Sequence, residues 1–313
     1  MKRISYSQYS MWAQCPYRWK LAYVEGKREF TESIHTLFGT SMHEVIQTFL
    51  TVMYEDTAKA AEALPLPEML RIRMKRNYEN ALEKNGGVEF CTQADMVEFY
   101  EHGLLILDFL KKKRAQYFSK KGYELIGIEV PLDFDLPNGI KFIGYLDVVI
   151  RDTVRDVIKI YDIKTSTMGW NKWQKADKLK SDQLLLYKQF YSKQFNHPLD
   201  KIEVEYFIVK RKLYENLDFP QKRVQKFIPA NGKPSINQVT NRLNEFMKEC
   251  FDKDGEYNTE HTYSKQASKK NCRYCDFNQT EFCDAGVKHS LRKESNLCTT
   301  LFIDGLPLAG TNF

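Results

Sequence analysis

Two carboxylates and a lysine are placed in this sequence where they can act together. Asp147 closes the run Gly144-Tyr145-Leu146-Asp147, and fifteen residues later comes Asp162-Ile163-Lys164. The flanking stretches 145–150 (YLDVVI) and 157–163 (VIKIYDI) are rich in β-branched and aromatic residues, and the polar connection 151–156 suits a hairpin. Side chains alternate along a strand, so Asp162 and Lys164 share one face while Ile163 points to the other. An antiparallel partner can set Asp147 beside them. Two acids and an ammonium on a half-buried sheet are costly unless something balances the charge, and a divalent cation is the simplest candidate. The chemistry such a set supports is metal-assisted phosphodiester cleavage.

The elements that must position these groups can be read from periodicity. Ser5 or Ser7 can cap a short helix carrying Tyr9, Trp12 and Cys15, which Pro16 interrupts. Residues 37–54 carry apolar side chains at helical spacing, and further helices are expected near 67–84 and 94–120, the last ending on the basic run 111–114. From Tyr123 the period changes: 123–134, 141–151 and 157–164 read as strands, with Pro137-Asn138-Gly139 marking a turn. A helix at 179–195, strands at 202–211 and 221–228, and a helix at 235–252 complete the order. The expectation is an α/β (α+β) core with a mixed sheet and an N-terminal helical elaboration. All of it is expected in a single domain (1–313): 1–120 the elaboration, 121–252 the core, and 253–313 a cysteine-bearing C-terminal segment.

Hydrophobic residues make up 42% and charged residues 28% of the 313 positions, the balance of a soluble globular chain. No apolar run reaches transmembrane length and the N-terminus is polar, so a cytoplasmic location without membrane contact is expected. The formal net charge of +6 suits a polyanionic partner but is common among ordinary proteins. The seven cysteines are odd in number, and three crowd into Cys272-x₂-Cys275-x₇-Cys283. In a reducing compartment such clustering points to metal or redox chemistry.

Taken together these motifs resemble the PD-(D/E)XK nuclease superfamily, in particular its RecB-like branch with the iron–sulfur exonucleases of CRISPR adaptation. The strand–helix order over 123–211 is similar to the family's αβββαβ core. Phe38-Gly39-Thr40-Ser41-Met42-His43 resembles the histidine motif, Gly144 to Val148 the acidic strand motif, Asp162-Ile163-Lys164 the third, and Gln183-Leu184-Leu185-Leu186-Tyr187 the fourth. The resemblance implies that Asp147, Asp162, the Ile163 backbone carbonyl and His43 hold Mg²⁺ or Mn²⁺, with Glu129 a further candidate ligand. Lys164 would orient the attacking water or stabilise developing charge, and Gln183 and Tyr187, one turn apart, would position Lys164 or the DNA backbone.

Cys272, Cys275 and Cys283 supply three thiolates and Cys15 can supply a fourth, a set that either Zn²⁺ or a [4Fe–4S] cluster can use. The iron–sulfur branch pairs one N-terminal cysteine with three C-terminal ones, which implies a structural [4Fe–4S] clasp; Cys298 could replace one ligand. Between the third and fourth motifs, Trp170, Lys172, Trp173 and Lys175 offer aromatic faces and cations that can stack bases and neutralise phosphates of a single strand. The same tryptophans can instead anchor a helix start to the core. No P-loop is present, so unwinding would need a helicase or other recombination or CRISPR partner. The expectation is a metal-dependent DNA exonuclease acting on single-stranded ends, in repair, recombination, CRISPR adaptation or phage DNA metabolism. A non-catalytic DNA-binding scaffold and a zinc-stapled, structure-specific endonuclease are the alternatives.

Overall fold

A computed structural model describes residues 2–27, 32–215 and 218–286 of the chain. Its centre is a mixed six-stranded sheet: β1 (Arg3–Ile4), β2 (Tyr123–Asp135), β3 (Lys141–Asp152), β4 (Val157–Ser166), β5 (Ile202–Lys210) and β6 (Val224–Phe227). β2, β3 and β4 form an antiparallel meander, β5 joins β4 in parallel, and β6 returns antiparallel to β5. The parallel step needs a crossover, supplied by α8 (Lys178–Gln194) after the short α7 (Lys172–Ala176).

Each face of the sheet is covered. One face packs on α3 (Ile34–Glu55), α5 (Leu66–Lys84) and α6 (Gln93–Tyr117), where Val45, Ile46 and Phe49 meet Val148, Ile150, Tyr161, Ile163 and Phe207. The opposite face packs on α8, α1 (Tyr6–Gln14) and α9 (Lys233–Cys250), through Leu146, Ile158, Ile160, Val204 and Ile208. Strands buried on both sides explain the near-continuous apolar runs of 145–150 and 157–163. Two turns of helix carry the chain between α1 and α3: α2 (Pro16–Trp19) and a π-helical turn Lys20–Val24. Pro16 takes the first position of α2, where its missing N–H costs nothing, and Cys15 is extended between the helices.

The expected strands and long helices lie within a few residues of their predicted bounds. Several short elements lack a counterpart in the sequence reading, among them β1, α2, α4 (Ala58–Ala63), α7 and the π turn. Two-residue β1 is too short to show a period; it is held by the backbone pairing Arg3↔Lys141 and Ile4↔Phe142. Between helix α9 and the end of the described residues only α10 (Lys269–Cys272) is regular.

Candidate active site and cysteine clasp

The acids sit where the sheet forks. β3 and β4 are paired from Asp152↔Val157 to Val148↔Tyr161, and the pairing stops one rung before Asp147 and Asp162. At the same level both β2 and β3 change the face they present. Ile128 and Val148 join the core beneath α3, whereas Val130 and Leu146 join the core beneath α8. Glu129, between Ile128 and Val130, has φ of 50°. A non-glycine residue in this left-handed region is strained, and such strain tends to collect at working sites. The fork turns Asp147 toward β4, where its Oδ2 accepts the Ile163 N–H at 2.6 Å.

Helices on both faces can therefore reach the acids. From α3, His43 Nδ1 stands 3.6 Å from Asp147 Oδ2. One turn on, Gln47 donates from Nε2 to Glu129 Oε1 and, at 3.3 Å, to the Asp147 carbonyl. From α8, Gln183 donates to the Tyr187 hydroxyl at 3.2 Å. The motif glycines allow this closeness: a Cβ on Gly144 would stand 3.1 Å from the Tyr187 ring, and one on Gly39 would stand 3.2 Å from Thr165 Oγ1. Tyr206 on β5 underlies the group, with its hydroxyl donating to the Lys180 carbonyl and the Lys164 ammonium 5.9 Å from its ring centroid.

Electrostatics follow from burial. Asp162 is 2% exposed. Burial pushes both Asp147 and Asp162 up to about 6, against the pull of the Lys164 ammonium. Burial works to lower Lys164, but Asp162 and Asp147 outweigh it and hold the ammonium above its ordinary value. Burial and the Lys164 charge lower His43, keeping its imidazole neutral at neutral pH and able to offer a lone pair. Lys164 Nζ lies 2.8 Å from Asp162 Oδ2 but outside hydrogen-bonding geometry, so this buried oxygen has charge compensation without a hydrogen bond. Tyr187 is pushed up to about 12, chiefly by burial, and stays protonated.

Among the described residues no three His, Cys, Asp or Glu side chains are grouped tightly enough to hold a metal ion as they stand. The donor chemistry nevertheless suits a hard divalent cation: two buried carboxylates, one with an oxygen that accepts no hydrogen bond, and a neutral imidazole beside them. Gln47, Tyr206 and the strain at Glu129 were not anticipated. Gln47 alone had a usable signal, lying four residues after His43 and eight after Gly39 on one helix face.

The segment after β4 divides its two tryptophans. Trp170 is 8% exposed and packs on Tyr206 and Phe227, so it anchors the segment and cannot offer a face to a base, contrary to expectation. Trp173 is 73% exposed, with Lys172 Nζ 4.9 Å from its ring centroid. Lys175 lies in the last turn of the same short helix α7.

The cysteines at both ends of the chain line one small cavity: Cys15, Cys272, Cys275 and Cys283. Cys15 Sγ accepts the Gln266 N–H at 3.4 Å. Burial raises the Cys275 thiol. Asn271 Nδ2 donates to the Gln14 carbonyl at 2.7 Å and Arg18 Nη2 to the Tyr274 carbonyl at 3.1 Å. Cys91 and Cys250 are buried elsewhere. Cys298 and the tail 295–313 lie outside the described residues.

A sequence model of the PD-(D/E)XK nuclease superfamily matches residues 3–280, nearly the whole chain, and the protein belongs to that superfamily. A crystal structure of a candidate exonuclease from Eubacterium rectale superposes over 88% of this chain and 86% of that one, with 14% identity and a TM-score of 0.46. No curated protein matches the chain. Among the described residues, no helix is long and apolar enough to cross a membrane.

Proposed function

We propose that this nuclease is a metal-dependent DNA exonuclease that hydrolyses phosphodiester bonds at single-stranded ends and carries a structural [4Fe–4S] cluster. The observation that carries the catalytic part is the pair of buried carboxylates, Asp147 and Asp162, facing Lys164 at the fork of the sheet. Asp147, Asp162, the Ile163 carbonyl and His43 would hold Mg²⁺ or Mn²⁺, with Glu129, bonded to Gln47, a further candidate ligand. When bound, the ion polarises the scissile phosphate and lowers the pKa of a water.

The chain's own groups supply the rest. Lys164 remains an ammonium and can stabilise charge that develops on the phosphate oxygens or orient the attacking water. Tyr187 accepts from Gln183, leaving its own O–H free to donate toward the strand. Gln47 ties α3 to β2 and β3 and so fixes the distance between His43 and Asp147. The exposed Trp173 with Lys172 beside it is a platform on which an unpaired base can stack, and this favours a single-stranded substrate. Cys15, Cys272, Cys275 and Cys283 line one cavity, and the N–H···S bond from Gln266 suits a thiolate; these support the cluster.

The test is digestion of 5′- and 3′-end-labelled single-stranded DNA with Mn²⁺ or Mg²⁺ by wild type, Asp162→Asn and Lys164→Ala. Metal-dependent shortening from one end, slowed at least about 10²-fold in both variants, is the expected result. Cleavage of closed circles would make the enzyme an endonuclease. No cleavage by wild type with either metal would leave a DNA-binding scaffold.

A further inference from the structure

A second concavity, of about 170 Å³, begins one residue beyond Lys164. It is lined by His35 and Phe38 of α3, Phe99 of α6, Thr165 and Thr167 at the end of β4, and Arg211 after β5. The lining continues both catalytic elements, since Phe38 precedes motif residue Gly39 and Thr165 follows Lys164. Arg211 is the unusual member. It is 7% exposed, its guanidinium lies 3.8 Å from the centroid of the Phe99 ring, and Nη1 meets Glu98 Oε1 and His102 Nδ1, each at 3.0 Å. Among the described residues its Nε and Nη2 donate to nothing, and neither do the hydroxyls of Thr165 and Thr167. The Ser166 hydroxyl is occupied by the Gly169 turn.

The local charge is positive. Glu98 is the acid nearest Arg211, and it is answered twice, by Arg211 at 3.0 Å and by Lys212 at 2.8 Å. Arg223 adds another cation, with Nη1 on the Arg211 carbonyl at 2.9 Å. Burial and then the Arg211 charge hold both His35 and His102 below their ordinary values. A buried guanidinium with a free edge, two free hydroxyls and excess positive charge form a receptor for a tetrahedral oxyanion.

We propose that this cavity binds a phosphate group of the substrate strand next to the one being cut, through Arg211 with Thr165 and Thr167. The inference rests on the nuclease reading for its substrate, a nucleic-acid strand. The phosphate is either a terminal monophosphate or an internal phosphodiester, and the two sources are separable by experiment.

The experiment reads binding without divalent metal, by fluorescence anisotropy in EDTA. Wild type, Arg211→Met and the pair Thr165→Val/Thr167→Val are titrated onto four labelled single strands: 5′-phosphorylated, 3′-phosphorylated, hydroxyl-ended and closed circular. Arg211→Met keeps an apolar stem over Phe99, and unchanged melting of each variant controls for folding. Charge-assisted hydrogen bonds contribute about 1.5–3 kcal/mol, so Arg211→Met should raise Kd roughly 10–100-fold on at least one strand, and Arg211→Lys should recover part of it. An effect confined to one phosphorylated end assigns a terminal monophosphate; an equal effect on all four, the circle included, assigns an internal phosphodiester. Equal Kd for wild type and all variants on every strand, or no strand binding by wild type, overturns the subsite. Loss of binding in Arg211→Met of a protein that never cuts would keep the subsite and remove the nuclease, whereas cleavage with unchanged binding would do the reverse.

Discussion

At the scale of single residues, the site is governed by how much charge the fork buries. Asp147 and Asp162 each rise from an ordinary 3.8 to about 6, chiefly because burial penalises the carboxylate. A carboxyl whose pKa is higher in the folded protein takes up a proton on folding, so it favours the fold below about pH 4. That contribution is lost as pH rises through about 6. The rise corresponds to about 3 kcal/mol for one such carboxyl, and less than twice that for the coupled pair. Metal-free protein should therefore lose stability between about pH 4 and 6.5 relative to Asp147→Asn/Asp162→Asn, a difference that thermal melts in EDTA would measure. Mn²⁺ should restore melting temperature in wild type above about pH 6 and do little at pH 5, where protons compete for the same oxygens. A pH-independent gap between wild type and the double variant would mean the two carboxyls are not raised together. The acids and the lysine were legible in the sequence because a strand's period of two fixes which residues share a face. Tyr206 was not, because its role depends on where two faces of a forked sheet meet, and Gln47 was marked only by its helix face shared with His43.

At the scale of elements, helix α8, which carries Gln183 and Tyr187, is held by a buried polar group on its other side. Asp182 is 1% exposed and follows directly after Ser181, one residue before Gln183. Its carboxylate takes a hydrogen bond from the Tyr9 hydroxyl of α1 at 2.7 Å and a two-pronged contact from Arg242 of α9. One carboxylate thus fixes three helices on the face opposite α3, and with them the rotation of Gln183 and Tyr187 toward the fork. Removing one partner from a buried ion pair leaves an uncompensated charge, at a cost of about 3–5 kcal/mol. Asp182→Ala should lower stability by that amount in denaturant titration, and Asp182→Asn by less because it can still accept from Tyr9. If Asp182→Ala melts like wild type, the network does not hold α8. The helices and strands themselves were readable from apolar spacing. This network was not, since nothing in a sequence marks which of 41 acids will be buried.

At the scale of the whole molecule, segments 14–18 and 264–282 close over one another. Residues 14–18 bond to 264–282 through Tyr17 N to the Ser264 carbonyl, Asn271 to the Gln14 carbonyl, and the Tyr17 hydroxyl to the Phe282 carbonyl. The apolar support is thin: Leu21, Ala22 and Phe277 are the fully buried members of their own small cluster. With so little regular structure and so small a core, the segment would gain from a cross-link: joining Cys15 to Cys272, Cys275 and Cys283 would remove a long loop from the unfolded ensemble. The spacing of Cys272, Cys275 and Cys283 grouped three of these cysteines, while Cys15 was joined to them by the family resemblance alone, and iron–sulfur and zinc would use the same four thiolates. Anaerobically purified protein should carry about four irons per chain on this reading, against one zinc for the alternative. Cys15→Ser should abolish that content and lower the melting temperature by roughly 5–15 °C, taking a cross-link as about 3–5 kcal/mol in a chain of this size. Limited proteolysis should then open the 253–286 segment first. Because His43, Asp147, Asp162 and Lys164 lie in the other parts of the fold, cleavage below the new transition should survive, at a rate within a few-fold of wild type. A Cys15→Ser protein that melts and resists protease like wild type would show that the ends close without a bound cluster.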